Sequence, residues 1–183
     1  MNARHPAPAF HTENGLAALS ACRECSGVNC CGKLRQGGPV EPPFLTVHDL
    51  RQVRHFTGLS CRDFAEARTN PVTGKTVFFM RVRPGGGCVF FSPSSGKCRI
   101  YTVRPIDCKL FPLDIKKIGR RYAWILYRYQ HCHLTEADRT TLLRLRDQAL
   151  SVLGHALEEY ATVPVPGMDG LRRRIVGWIG DAR

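Results

Sequence analysis

The sequence predicts an α+β fold of short antiparallel strands with a helical C-terminus, and three observations predict it. Short apolar runs rich in β-branched and aromatic residues, such as TVFFM at 76–80 and AWILY at 123–127, are bounded by turn residues and read as strands. From Leu142 to Tyr160 apolar residues recur at spacings of three and four, the period of a helix with one buried face. The stretch ACRECSGVNCCGK at 21–33 crowds four cysteines into polar, glycine-containing sequence with no period of either kind.

Taken in order, residues 1–20 carry Pro6 and Pro8 and no sustained pattern, and are expected to be a loose arm. Residues 21–44, rich in cysteine, glycine and proline, are loop sequence that needs something other than an apolar core to order it. Thr46 with Asp49 predicts a capping box; Leu50, Val53 and Phe56 share a helical face, and Gly58 ends the helix. Ser60 with Asp63 repeats the signal for a second short helix carrying Phe64 and Ala65. TVFFMRV at 76–82 is a strand entering the turn Gly85–Gly87, and Cys88-Val-Phe-Phe and Cys98-Arg-Ile-Tyr are two short strands around SPSSGK. Arg104-Pro105 suits the first turn of a short helix that delivers Cys108.

DIKKI and RYAWILYRY form a hairpin through Gly119 that leads to Cys132. Thr135 with Asp138 opens the long helix, whose stripe is Leu142, Leu145, Ala149, Val152, Ala156 and Tyr160, and VPVP at 163–166 stops it. Residues 170–179 are expected as a short terminal helix with Leu171, Ile175 and Trp178 inward. The resulting organisation is a flexible arm at 1–20, a cysteine-rich domain at 21–134, and C-terminal helices at 135–183 packed on the same domain.

The chain has 183 residues, enough for one domain with a real core. The N-terminus lacks the apolar core of a signal peptide and no window has the apolar length of a bilayer span, so a cytoplasmic protein is expected and no membrane partner. In a reducing compartment cysteine-rich patterns point to metal ligands or catalytic thiols before disulfides, and the odd count of nine fits a fully paired disulfide set poorly. Leaving out Cys61, the cysteines are Cys22, Cys25, Cys30, Cys31, Cys88, Cys98, Cys108 and Cys132. Eight is twice the four thiolates that a tetrahedral zinc site or a four-iron cluster takes.

The Cys22–Cys25 spacing lets both sulfurs turn to one metal, while the adjacent Cys30 and Cys31 tend to point apart and so to serve two centres or two irons. Each cysteine could instead be a small buried hydrophobe; that is the reading preferred for Cys61, at a predicted helix start away from the others. The expected architecture is therefore a small, irregular, metal-stapled domain.

Read together, the CxxC-x4-CC group, GGCVFF, and CRIYTVRPIDCKLFP at 98–112 resemble the YkgJ-type cysteine cluster family of zinc- or iron-chelating proteins. The likeness runs from about Cys22 to Cys132, and PPFLTVHDLRQVRHFTGLS is similar to the family's helix between cysteine groups. Two departures stand out: four residues separate Cys25 from Cys30 where the family's nominal spacing is shorter, and Cys132 sits in His-Cys-His and not before Pro-Gly. The resemblance implies metal binding by the eight cysteines. It also implies, through the related flagellin lysine N-methylases, an iron–sulfur cluster and the alternative of a cluster-dependent protein-modifying enzyme such as a methyltransferase. Thiolate ligation suits zinc and iron–sulfur almost equally, and the multi-cysteine grouping with its vicinal pair favours a 4Fe-4S cluster, with zinc as the alternative.

His131 and His133 flank Cys132 and read as solvated. Arg104 and Tyr101 read either as groups supporting the thiolates or as structural residues, while Phe90, Phe91, Phe111 and Pro112 read as a small core around the site. Asp107, beside Cys108, makes no acid–base pair by itself. No phosphate loop, dinucleotide fingerprint, HExxH helix or GxSxG elbow is present, so no catalytic residue and no reaction can be named. The formal charge is +12, but its 27 Lys and Arg are spread along the chain. Each four-thiolate centre carries a net charge of about −2 and would absorb part of that excess. The reading goes against nucleic acid and leaves a protein partner open.

Overall fold

The computed structural model describes residues 42–84, 86–127, 136–164 and 173–180, and its architecture is α+β with three small antiparallel sheets. Strand β1 (Phe44–Leu45) runs into helix α1 (Val47–Thr57), one turn of helix α2 (Cys61–Phe64) and strand β2 (Ala65–Thr69). Strand β3 (Thr76–Met80) returns between β1 and β2 to complete the first sheet. Strands β4 (Phe91–Ser92) and β5 (Lys97–Cys98) form a minimal hairpin, followed by a 3-10 turn (Tyr101–Val103) and helix α3 (Ile106–Leu110). Strands β6 (Leu113–Ile118) and β7 (Arg121–Tyr127) precede helix α4 (Glu136–Leu153), a 3-10 turn (Gly154–Ala156) and helix α5 (Leu157–Thr162). Strand β8 (Arg173–Trp178) pairs with β7, giving the order β6-β7-β8.

Side-chain alternation along β1 and β3 makes the first sheet a wall between two cores. Phe44 pairs with Phe79 and Leu45 with Phe78, so each pair presents one face. Phe44, Val77 and Phe79 enter the larger core, which is built from Ile106 and Leu110 of α3, Ile115 and Trp124 of the last sheet, and buried residues of α4 and α5. Leu45 and Met80 enter the smaller core with Val53, Phe64, Phe90 and Ile100. Cys88 is buried in that smaller core, and Cys98 and Cys61 pack against it. Asn70, at the tip of the β2–β3 hairpin, is fully buried and pins the hairpin to α5: its Nδ2 donates to Glu159 O at 3.2 Å and to Thr162 Oγ1 at 2.9 Å.

The α1 capping box forms as the sequence predicts. Asp49 N donates to Thr46 Oγ1 at 3.1 Å, Thr46 N donates to Asp49 Oδ2 at 2.9 Å, and Gly58 closes the helix at φ +71°. Several expectations are corrected. The terminal helix expected at 170–179 is replaced, within the described residues, by strand β8 at 173–178, and Ile175 is 46% exposed instead of inward. The open edge of β7 pairs with β8 from Tyr127 to Ala123, with one register shift between Trp124 and Ile125, and this pairing overrides the helical spacing. Trp178 turns to the far face of that sheet with Ala123, Ile125 and Tyr127, where the Arg121 guanidinium lies 4.4 Å above its ring.

Phe56 is 44% exposed, because α1 turns Asp49 and Val53 inward and leaves Phe56 at the edge of that face. Ala65 opens strand β2 and is not helical, since β3 draws it into register opposite Met80. The predicted strands at 88–91 and 98–101 shorten to two residues each, the second giving way to the 3-10 turn. The long helical stripe continues to Tyr160, but the helix itself breaks at Gly154. Among the described residues no helix is long and apolar enough to cross a membrane.

Candidate metal centre

The chain leaves β3 and reverses through Gly86 and Gly87, both at positive φ (+93° and +88°), a backbone path that a side chain would oppose. The turn is closed by Gly86 N donating to Arg83 O and Arg83 N donating to Gly87 O, each at 2.9 Å. It delivers Cys88 into a bridge with Val82. The next residues fold back, Phe91 N donating to Cys88 O at 3.0 Å, which brings the Phe90 and Phe91 amides near the Cys88 sulfur. Across the β4–β5 hairpin, Cys98 pairs with Phe91, and the N–H of Ile100 points at its sulfur. Each thiol thus has amide donors two or three residues ahead of it, the arrangement in which a loop supports a thiolate against its neighbours.

The two cysteines are close enough to act on each other. Burial pushes the Cys88 thiol up to about 11; the Phe90 amide opposes this, Cys98 adds to it, and the Phe91 amide and Arg83 oppose it. Burial also raises Cys98, opposed by the Ile100 amide, Arg104 and Arg99. Free thiols are therefore held protonated, and a bound cation is what would convert them to thiolates. Arg104, whose guanidinium lies 4.0 Å over the Tyr101 ring, is one of the positive groups that faces Cys98. Two arginines fix the loop backbone: Arg83 Nη2 donates to Phe91 O at 2.6 Å and Arg99 Nη2 to Val89 O at 2.7 Å.

Cys108 is half-buried on α3. Ile106 and Leu110 turn that helix into the larger core, and Cys108, about 200° round the helix from Ile106, faces elsewhere. Beside it Lys109 is lowered by burial, an effect opposed by Asp49, reinforced by Arg104 and opposed by Cys108. Asp107 is tied in both directions, accepting from Phe44 N at 2.9 Å and from the Tyr160 hydroxyl at 2.7 Å. Burial pushes its carboxyl up to about 6; Asp114 adds to this, while Tyr160, Phe44 N and Lys116 oppose it. The sequence reading of Asp107 as a carboxylate without a partner misses Tyr160, which reaches it from fifty-three positions away.

Among the described residues Cys88 and Cys98 come together, and Cys108 does not join them: no three His, Cys, Asp or Glu side chains there could hold a metal ion. Cys22, Cys25, Cys30, Cys31 and Cys132, with His131 and His133, lie outside the described residues. Cys61 is half-buried beside the smaller core. Arg83, Arg99 and Lys109 escaped the sequence reading, because nothing in a single arginine or lysine reports that it points at a loop carbonyl or a thiol.

The donor chemistry fits a thiophilic metal: two apposed thiols in an apolar setting, amide donors aimed at the sulfurs, and cations nearby to offset thiolate charge. The family model CxxCxxCC, described as "Putative zinc- or iron-chelating domain", matches residues 21–133, more than half of the chain. No solved structure matches.

Proposed function

Since the chain belongs to the CxxCxxCC family of zinc- or iron-chelating domains, we propose that it is a cysteine-ligated metal-binding protein whose resident group is an iron–sulfur cluster of the 4Fe-4S type, with zinc as the alternative ion. The ligands are drawn from Cys22, Cys25, Cys30, Cys31, Cys88, Cys98, Cys108 and Cys132. One observation carries this reading: a glycine turn and a two-residue hairpin bring Cys88 and Cys98 into the same small core, with the Phe90 and Ile100 amides beside their sulfurs.

The group supplies a cationic core that holds the sulfurs as thiolates and ties distant chain segments together. The chain's own residues do the rest. The amides of Phe90 and Ile100 lie where they would support the thiolates, Arg99 and Arg104 would offset thiolate charge, and Phe90 and Ile100 keep water away. Reduced thiols of this kind belong to a reducing compartment, the cytoplasm.

Anaerobic purification with iron, zinc and acid-labile sulfide analysis tests the reading, alongside a visible spectrum. Iron with sulfide and a broad brown charge-transfer band is expected; zinc in a colourless protein selects the alternative. A well-folded protein with neither metal overturns it.

A further inference from the structure

Two aspartates join the segment that opens the described fold to the helix bearing Cys108, and they do so reciprocally. Asp107, on α3, accepts the N–H of Phe44 on β1 at 2.9 Å. Asp49, on α1, accepts the N–H of Ile106 at the start of α3 at 3.1 Å. Each segment gives one carboxylate and receives the other's backbone donor. Both carboxylates are held on their other sides as well. Asp49 takes the Thr46 N–H at 2.9 Å and the Thr46 hydroxyl at 2.7 Å, and Asp107 takes the Tyr160 hydroxyl at 2.7 Å.

Helix α3 has five residues, far below the length at which a helix holds itself together. Its place is set by tertiary contacts alone. Ile106 and Leu110 fix which face turns to the core, but apolar contacts are non-directional and tolerate sliding along the helix axis. The Asp49 bond fixes the first N–H of the helix, a group left without an intrahelical partner after Pro105, and so fixes its axial position. Asp49 is 2% exposed, so water does not replace the carboxylate if it is removed.

We infer that Asp49 and Asp107 are positioning residues for the metal ligand Cys108, a role that rests on the metal-binding reading above. The clasp sets where the Cys108 sulfur stands relative to the chain entering β1, the direction from which the N-terminal cysteine group arrives in sequence. The aspartates touch no metal; they act through α3.

The test compares Asp49→Asn with Trp124→Ala in the full chain, using metal affinity measured by competition against a chromophoric chelator and the absorption spectrum of the cobalt(II)-substituted protein. Trp124 is buried in the larger core, apart from the core that holds Cys88, so its variant reports plain destabilisation. Asp49→Asn turns one acceptor into a donor facing Thr46 or Ile106. It is expected to weaken metal affinity about tenfold or more and to change the cobalt thiolate band in the same sense as Cys108→Ser. Trp124→Ala is expected to leave affinity and band shape unchanged while lowering stability by a similar amount with and without metal.

Equal affinity and equal spectra in the two variants overturn the positioning role and leave the metal reading standing. A wild-type protein that binds no metal overturns both. If Asp49→Asn does not fold, Tyr160→Phe takes its place, removing only the hydroxyl that holds Asp107. It is expected to weaken metal binding by a smaller factor in the same direction, and an unchanged affinity there overturns the inference.

Discussion

The two cores of this molecule are built on different physics. The larger one, between the β6-β7-β8 sheet and helices α4 and α5, is closed by long strands, a six-residue hairpin register and aromatic and aliphatic side chains such as Trp124, Tyr160 and Leu153. The smaller one, around Cys88 and Cys98, has two-residue strands, a glycine turn and a handful of apolar residues. Its backbone is fixed by Arg83 and Arg99 reaching loop carbonyls, where the larger core uses sheet ladders. Burial of apolar area holds the first by itself. The second has fewer apolar side chains among the described residues, and the proposed metal would add a crosslink there.

The predictions break or sharpen this contrast. Removing metal has the largest effect. Stripping the protein with a chelator should cost on the order of 10 kcal/mol of local order around Cys88–Cys98. Amide exchange at Val89, Phe91 and Arg99 should accelerate while Ile115 and Trp124 stay protected; equal acceleration in both would erase the distinction. Trp124→Ala, in the larger core, should cost about 3–5 kcal/mol in denaturant unfolding, and by a similar amount with and without metal.

Arg83→Met removes a charge-assisted bond to the Phe91 carbonyl and should cost about 1.5–3 kcal/mol, read as faster exchange confined to the cysteine loop. Thr46→Ala removes the α1 cap and should cost about 1 kcal/mol, seen as fraying of that helix by exchange. Lys117→Met breaks a 2.6 Å pair with Glu158 at the exposed edge of the large core. It should change the unfolding midpoint by less than about 1 kcal/mol in stability.

What the sequence disclosed follows the same division. Where local rules decide, the reading holds: the Thr46–Asp49 and Ser60–Asp63 capping signals, the Gly119 hairpin and the Leu142–Leu145–Ala149 face all stand in the structure. Where a partner far along the chain decides, it does not. Strand β8 reads as helical until β7 is available to pair with it, and Asp49 reads as a cap until α3 is placed beside it. The family was legible because the number and context of the cysteines are unusual. That Cys88 faces Cys98 and not Cys108 was beyond reach, because equal spacings of ten in sequence carry no information about which loops meet.

The last strand has a consequence for how the chain is made. Strand β8 begins forty-six positions after its pairing partner Tyr127 on β7. During synthesis the N–H and C=O groups on that edge of β7 emerge well before the residues that cover them, and both helices of the larger core are threaded first. This apolar strand, with Ala123, Trp124, Ile125 and Tyr127, therefore has an unpaired edge until β8 has been made. A premature stop anywhere between α5 and Arg173 would fix that interval permanently, and the truncated product would carry an adhesive ribbon able to pair with its own copies.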